Sequence, residues 1–458
     1  MIGAGMERMK EAAVKKTSEK GKLLTGAATI AMGGLVAKLI GAFYRIPLTN
    51  LIGGEGIGLY QLVYPFYCIL LTISATGIPS SIATLTARRS ALNEPTFPLV
   101  KTCMRLFLSI GAVSTALMML AAPLLARMQG ETRLTSGYFA LAPSVLLVSA
   151  ISVFRGYFQG KNEMLPTAVS EIIEQSVKVG VGLLAAYFFR SDVYKAVTAL
   201  LVSVTISEGV ALAFLWLRFR REPSLVRLTK TAEKIPAKSV LRLSIPVTLS
   251  ACLLPTFSLI DSVLLVRLIK PYAENAVTLY GLFSGGAVTI VNLPVSVCYG
   301  VAAASIPALS SALEKGESGR KKLLYSLLLT AVLSAVSSAV LWLFAGQAVR
   351  ILFRSLAATE QEILVRLVKG FSVSAFTLSC TQTLSACLTA LGKPSKAALA
   401  MGVAMAVKTL LSVLLVSRPA LGIFGAVIAA NVGYALSFAL DLWFALRETR
   451  AKYFAVRG

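Results

Sequence analysis

Residues 154–182 read FRGYFQGKNEMLPTAVSEIIEQSVKVGVG. Glu171, Glu174 and Lys178 stand here in a chain that is otherwise mostly apolar, and the reason they are tolerated decides how the sequence is read. At about 100° per residue, Thr167, Glu171, Glu174 and Lys178 share a stripe about 60° wide on one helix. Glu174 and Lys178, four apart in the favourable order, are placed to pair. A charge at the centre of a bilayer costs about 2.5–3.5 kcal/mol on insertion scales, so the stripe is expected to face a bundle interior or water, not lipid. Glu171 has no local partner in sequence; a cation from another helix, such as Lys38, or protonation would neutralise it.

The surroundings make that bilayer reading necessary. Of 458 residues, 56% are apolar and only 14% are charged, with a mean hydropathy of +0.76, against roughly 25% charged residues in soluble domains. Stretches of the roughly 20 apolar residues needed to cross a bilayer as a helix recur along the whole chain, so a signal peptide does not account for them. Twelve are expected, from 24–44 at one end to 420–446 at the other. The longest polar interval, 218–239, separates six from six. The expected organisation is a tail at 1–22, a six-helix bundle at 23–217, a linker at 218–239, a second six-helix bundle at 240–446 and a tail at 447–458.

The net charge of +24 is spread over short connections and forms no single patch, so nucleic acid is not an expected partner. Six Lys and Arg fall in residues 1–22 and eight in 218–242. By the positive-inside rule both segments, and with them both termini, are expected on the cytoplasmic side. The six cysteines all fall within apolar stretches and read as small packing residues. Histidine is absent, which removes Ser-His-Asp and Cys-His catalysis and His-based zinc sites; neither an enzyme nor a metal site is expected. No GxxxxGK[ST] loop is present, and no cofactor is expected. GGEGIG at 53–58 reads as a tight turn between the first two spans.

The halves echo each other. YFQGKNEMLPTAVSEIIEQSVKV (157–179) and TALGKPSKAALAMGVAMAVKTL (389–410) each run Gly-Lys, proline, then a helix bearing Val-Lys. TGIPSSIATL (76–85) and ASIPALSSAL (304–313) also correspond. Six spans per half with matching orientation imply parallel repeats about an axis along the membrane normal. Pro79, Pro246, Pro294 and Pro307 interrupt spans in both halves and are expected as hinges around a central cavity. Other intramembrane charges are Lys38, Arg45, Glu208, Asp261, Arg267, Lys408 and Asp441, of which Arg45, Arg267 and Asp441 lie where snorkelling to an interface is an alternative.

KLIGAFYRIPLTNLIGGEGIGLYQLVYPFYCILLTISATGIPSSIA (38–83), the opening stretch at 154–179 and VNLPVSVCYGVAAASIPALSSA (291–312) together resemble the stage V sporulation protein B group of the multidrug/oligosaccharidyl-lipid/polysaccharide (MOP) exporter superfamily. The resemblance implies an all-α integral membrane fold of about 12 helices, two bundles forming a V around a cavity, as in the MATE transporters. It implies a flippase for a polyprenyl-pyrophosphate-linked saccharide in the cytoplasmic membrane, with cell-wall synthesis proteins as partners. Lys38, Arg45, Lys178 and Arg267 would then hold the pyrophosphate, and Glu171, Glu174 and Asp261 would be the acidic or coupling groups. Two departures stand out: the span at 59–86 lacks a cation that lipid II flippases carry, and Lys178 replaces an arginine usual in the group. The alternatives are a cation-coupled drug exporter of the same fold and a non-transporting scaffold for cell-wall or spore-coat synthesis.

Overall fold

The computed structural model describes residues 2–75, 77–92, 94–222, 248, 251–314 and 319–457, with side chains described from residue 32 except at 35, 38, 42, 303, 307, 314 and from 450 onward. Among the described residues the chain is helical, with no strand. The helices are α1 (Ile2–Ala75), α2 (Ile78–Ala91), α3 (Phe97–Met128), α4 (Thr135–Gly160), α5 (Leu165–Phe188) and α6 (Val193–Arg220). They continue with α7 (Leu253–Ile269), α8 (Ala276–Gly281), α9 (Val288–Glu314), α10 (Arg320–Leu352), α11 (Ala358–Ala390), α12 (Pro394–Val416) and α13 (Ile423–Arg457). A π-helical turn, Leu282–Ala287, joins α8 to α9. Most of the expected linker, and Pro246 with it, lies outside the described residues.

Local chemistry sets several of these boundaries. Proline stands in the first turn of α2, α3, α5 and α12, where its missing N–H would have had no intrahelical partner. Asp192 caps α6, its Oδ1 accepting from the N–H groups of Tyr194 at 3.1 Å and Lys195 at 3.2 Å. Within α1, Gly53 adopts φ +72°, a left-handed conformation that costs a residue with a Cβ. That break divides α1 where GGEGIG was expected to turn the chain.

Nine helical stretches among the described residues are long and apolar enough to cross a membrane. The first of them, Met32–Ala91, has 60 residues. Straight, it would reach about 90 Å, three times a hydrocarbon core of about 30 Å; the breaks at Gly53 and near Gly77 fold it instead. Leu117, Leu120 and Leu124 of α3, and Leu328, Val336 and Leu343 of α10, are exposed. Side chains of this kind need no cover from protein when lipid tails surround them.

In the first half α4 packs on α2, α3 and α6, and α5 packs on α1 and α6. In the second, α11 packs on α9, α10 and α13, while α12 packs on α13 and α7. Helix α1 joins the two, touching α7, α8 and α9. One apolar core runs through this junction, from Leu48, Ile57 and Leu62 of α1 to Leu265 and Val266 of α7 and Leu364 and Phe371 of α11.

Candidate functional site

The polar stripe of α5 is completed by α4. The connection between the two helices is short, so α4 and α5 meet next to it and Arg155 lies across from Ser170 and Glu174. Its Nε donates to Ser170 Oγ at 2.9 Å and its Nη2 to Glu174 Oε2 at 3.0 Å, while Gln175 Nε2 donates to Glu174 Oε1 at 3.0 Å. The expected pair of Glu174 with Lys178 is therefore replaced by Glu174 with Arg155. A guanidinium fork reaches two acceptors from the neighbouring helix, whereas Lys178 lies one turn farther on. Lys178 is surrounded at longer range by Glu174, Glu208 and Arg45. Glu171 faces α1 at Gly34, where a Cβ would come within 3.6 Å of its Oε2. Lys38 follows one turn later on α1, but its side chain lies outside the described residues.

Both side chains of the Arg155–Glu174 pair are largely buried, with 15% and 17% exposure. A double-mutant cycle with Arg155→Ala and Glu174→Ala, followed by denaturant unfolding in detergent, is expected to give a coupling of about 0.5–3 kcal/mol. Additive losses would mean that the two side chains stabilise the chain independently.

From this stripe the polar groups lead inward to a cavity of about 340 Å³ between α1, α7, the π turn, α9 and α11–α13. Arg45, Gln61 and Tyr64 line it from α1, Asp261 from α7, Ser284 from the π turn and Lys408 from α12. Arg45 Nη1 donates to Thr289 Oγ1 at 2.8 Å. Gln61 Nε2 donates to Ser284 Oγ at 3.0 Å and to the Ser284 carbonyl at 3.2 Å. Lys408 Nζ donates to Asp261 Oδ2, and both side chains are close to fully buried. Removing one partner of such a pair costs about 3–5 kcal/mol, because the other charge is left uncompensated.

The charge balance of the cavity follows. Asp261 neutralises Lys408, and Arg45 has a hydroxyl but no carboxylate as partner among the described residues. Arg45 carries five N–H donors in a planar fork, of which one is used by Thr289. The site can hold an anion with two parallel charge-assisted hydrogen bonds.

Other expected site residues lie elsewhere. Arg267 is exposed at the end of α7, its Nε donating to the Met128 carbonyl at 2.6 Å, so it ties the two halves together and does not line the cavity. Lys270 adds a second tie just beyond the end of α3, its Nζ donating to the Gly130 carbonyl at 3.0 Å and lying 3.8 Å from Glu131. Asp441 does not snorkel; it is fully buried and accepts from Ser385 Oγ at 2.9 Å. Pro79 opens α2, and Pro294 lies inside α9 without ending it. The side chain of Pro307 is outside the described residues. Gln61, Tyr64, Ser284 and Arg155 are the site residues that the sequence reading does not single out. The single glutamine in LYQLVYPFYCILL and the glycine pair of LFSGGA were the available signals.

The hydrogen bonds between the halves, among the described residues, lie within the cavity or toward one end of it. Asn50 Nδ2 donates to the Leu352 carbonyl at 2.7 Å and its Oδ1 accepts from Ser355 N–H at 3.1 Å, and Arg267 and Lys270 add the contacts to α3. There, a Cβ on Gly281 would overlap the Gly54 carbonyl, and one on Gly58 the Val277 carbonyl. The two backbones meet because neither side chain exists.

Among proteins of known structure, the chain resembles an inward-facing multidrug resistance MATE family transporter of the MOP superfamily, with a TM-score of 0.78 at 17% identity over 91% of this chain and 95% of that one. An outward-facing MATE transporter gives 0.66 at 17% identity, over 93% and 96%. By sequence it is 27% identical over 437 residues to stage V sporulation protein B of Bacillus subtilis (strain 168), covering 92% of this chain and 82% of that protein. It is 30% identical over 431 residues to the uncharacterized membrane protein YabM of the same strain, covering 91% and 79%. To that strain's lipid II flippase MurJ it is 28% identical over 202 residues, 42% of this chain and 37% of the flippase. The polysaccharide biosynthesis protein family matches residues 23–313. A multi-pass helical chain with this match belongs to the polysaccharide biosynthesis protein family, with the fold seen in the MATE transporters and with similarity in sequence to stage V sporulation protein B.

Proposed function

We propose that the chain is a flippase that carries a polyprenyl-pyrophosphate-linked saccharide across the cytoplasmic membrane by alternating access. The observation that carries this reading is Arg45, a cation on the cavity wall with a neutral partner, beside a second cation already neutralised by Asp261. A pyrophosphate offers acceptors matched to a guanidinium fork. Gln61, Ser284 and Asn292 supply neutral polar groups for a sugar, and the polyprenyl tail stays in lipid. Membership of the polysaccharide biosynthesis protein family and the similarity to a lipid II flippase support the same class of substrate.

In this reading the chain crosses the membrane twelve times as two bundles, 23–217 and 240–446, with both termini cytoplasmic. The end held shut by Asn50, Arg267, Lys270 and the glycine contact is then the outer one, and the cavity opens inward. Pro79, Pro294 and Pro307 act as hinges, Lys178 extends the cationic path from Arg45 to α5, and Lys38 on α1 is a further cation for the pyrophosphate.

A drug exporter would need an unneutralised carboxylate facing its organic cation, but the carboxylate that lines the cavity, Asp261, is held by Lys408. The test is a binding measurement with the purified chain. A lipid-linked saccharide bearing a pyrophosphate is expected to bind with an affinity that falls with salt, and a quaternary ammonium dye to bind far more weakly. Binding of the dye and not the saccharide overturns the proposal.

A further inference from the structure

A second cavity, about 800 Å³, lies on the outer face of the first half between α3, α4 and α6, away from the central site. Its walls are apolar, with Leu108, Leu147 and Phe154 among them. From Phe97 to Leu108 on α3, and from Gly209 to Arg220 on α6, the groove follows about 16 Å of helix, close to half a hydrocarbon core of about 30 Å. It is as deep as one leaflet.

One end of the groove is basic. Lys101 and Arg105 stand one turn apart on α3, both exposed, and Arg220 closes the mouth at the end of α6. No carboxylate among the described residues pairs with any of the three. Arg220 lies over the Trp216 ring, 3.8 Å from its centroid, which holds the guanidinium at the level where tryptophans gather at membrane interfaces. Like charges at this spacing on a helix repel, and a bound anion would relieve the repulsion. An apolar slot one leaflet deep, capped by three unpaired cations, is complementary to a lipid with acyl chains and a negative headgroup.

We propose that this groove is a binding site for an anionic phospholipid, its acyl chain lying along α3, α4 and α6 and its phosphate held by Lys101, Arg105 and Arg220. The site is separate from the transport cavity and does not depend on what is transported. Each cation near a membrane surface favours an anionic lipid about fivefold, so three give a preference of roughly a hundredfold.

Trp216 lines the groove and provides the readout. The chain has three tryptophans, so Trp342→Phe with Trp443→Phe leaves Trp216 as the single tryptophan, excited at a wavelength where the tyrosines do not absorb. The full-length protein is reconstituted into phosphatidylcholine vesicles holding equal mole fractions of brominated phosphatidylglycerol or brominated phosphatidylcholine. Quenching is expected to be markedly stronger with the glycerol lipid. That excess should disappear when Lys101→Gln, Arg105→Gln and Arg220→Gln are combined, and shrink roughly 25-fold in affinity terms with the first two alone, which leave Arg220 on Trp216. Equal quenching by the two lipids overturns the proposal, as does an excess that survives loss of the cations. Recovery of fluorescence on adding polyprenyl phosphate at a concentration equal to the brominated lipid would assign the groove to the transport substrate and overturn it too.

Discussion

Arg45→Glu is expected to abolish the proposed saccharide translocation in reconstituted vesicles while the chain still inserts and folds. The fold accounts for only part of that loss, since Arg45 is half-buried and makes one hydrogen bond, to the neutral hydroxyl of Thr289; a bond with one charged partner contributes about 1.5–3 kcal/mol to stability. For a pyrophosphate the substitution matters more, because it removes a contact and also reverses its charge. Losing a charged contact to a bound ligand costs about 2–5 kcal/mol, or roughly 30-fold to several thousand-fold in affinity. Reversal then sets a carboxylate against a multiply charged anion. Arg45→Lys keeps the charge and loses the fork, so intermediate activity is expected. Thr289→Val separates the two roles, because it removes the hydrogen bond and leaves the cation in place. Full translocation by Arg45→Glu rules out a pyrophosphate at this position. A cation-coupled exporter reverses the pattern, with Asp261→Asn crippling transport and Arg45→Glu nearly silent.

The helical membrane class, the polar stripe of α5 and the turn at 53–58 were legible in the sequence because each is a local property. Hydropathy needs only a window of neighbours, and the stripe needs only the helical period. What α5 pairs with was not legible. Glu174 and Lys178 are one turn apart on the same helix, yet Arg155 reaches Glu174 from α4, and only the meeting of the two helices decides between them. Lys408 shows the same limit. Its neighbour Asp261 is 147 residues away in sequence, so both were visible as intramembrane charges but not as each other's neutraliser. That missing pairing changes the chemistry of the site, since it leaves Arg45 to set the sign of the cavity. Arg267 went the other way, a cation in a suitable span that lies one end too far along α7 to reach the cavity.

The residues between Gly53 and Gly58 carry more than a turn. Gly281→Val is expected to disfavour the closed end of the cavity and slow translocation with it. A Cβ at 281 overlaps the carbonyl of Gly54 and the backbone of Gly58, and backbone cannot rotate away as a flexible side chain would. Forcing extra volume into such a contact costs about 1–3 kcal/mol, which changes the equilibrium between closed and open ends about 5- to 150-fold. The contact exists only when the halves meet there, so the penalty falls on the closed state alone. Cysteines at 50 and 355, whose parent residues share a hydrogen bond across the halves, report that state when the six native cysteines are first replaced and a short bifunctional thiol reagent is added. Cross-linking should drop in Gly281→Val and stay at the parent level in Gly300→Ala, a change in α9 where a Cβ would meet nothing within 4 Å. Translocation should fall alongside the cross-linking. If Gly281→Val cross-links and translocates like its parent, the close approach of α1 and α8 is not part of the gate.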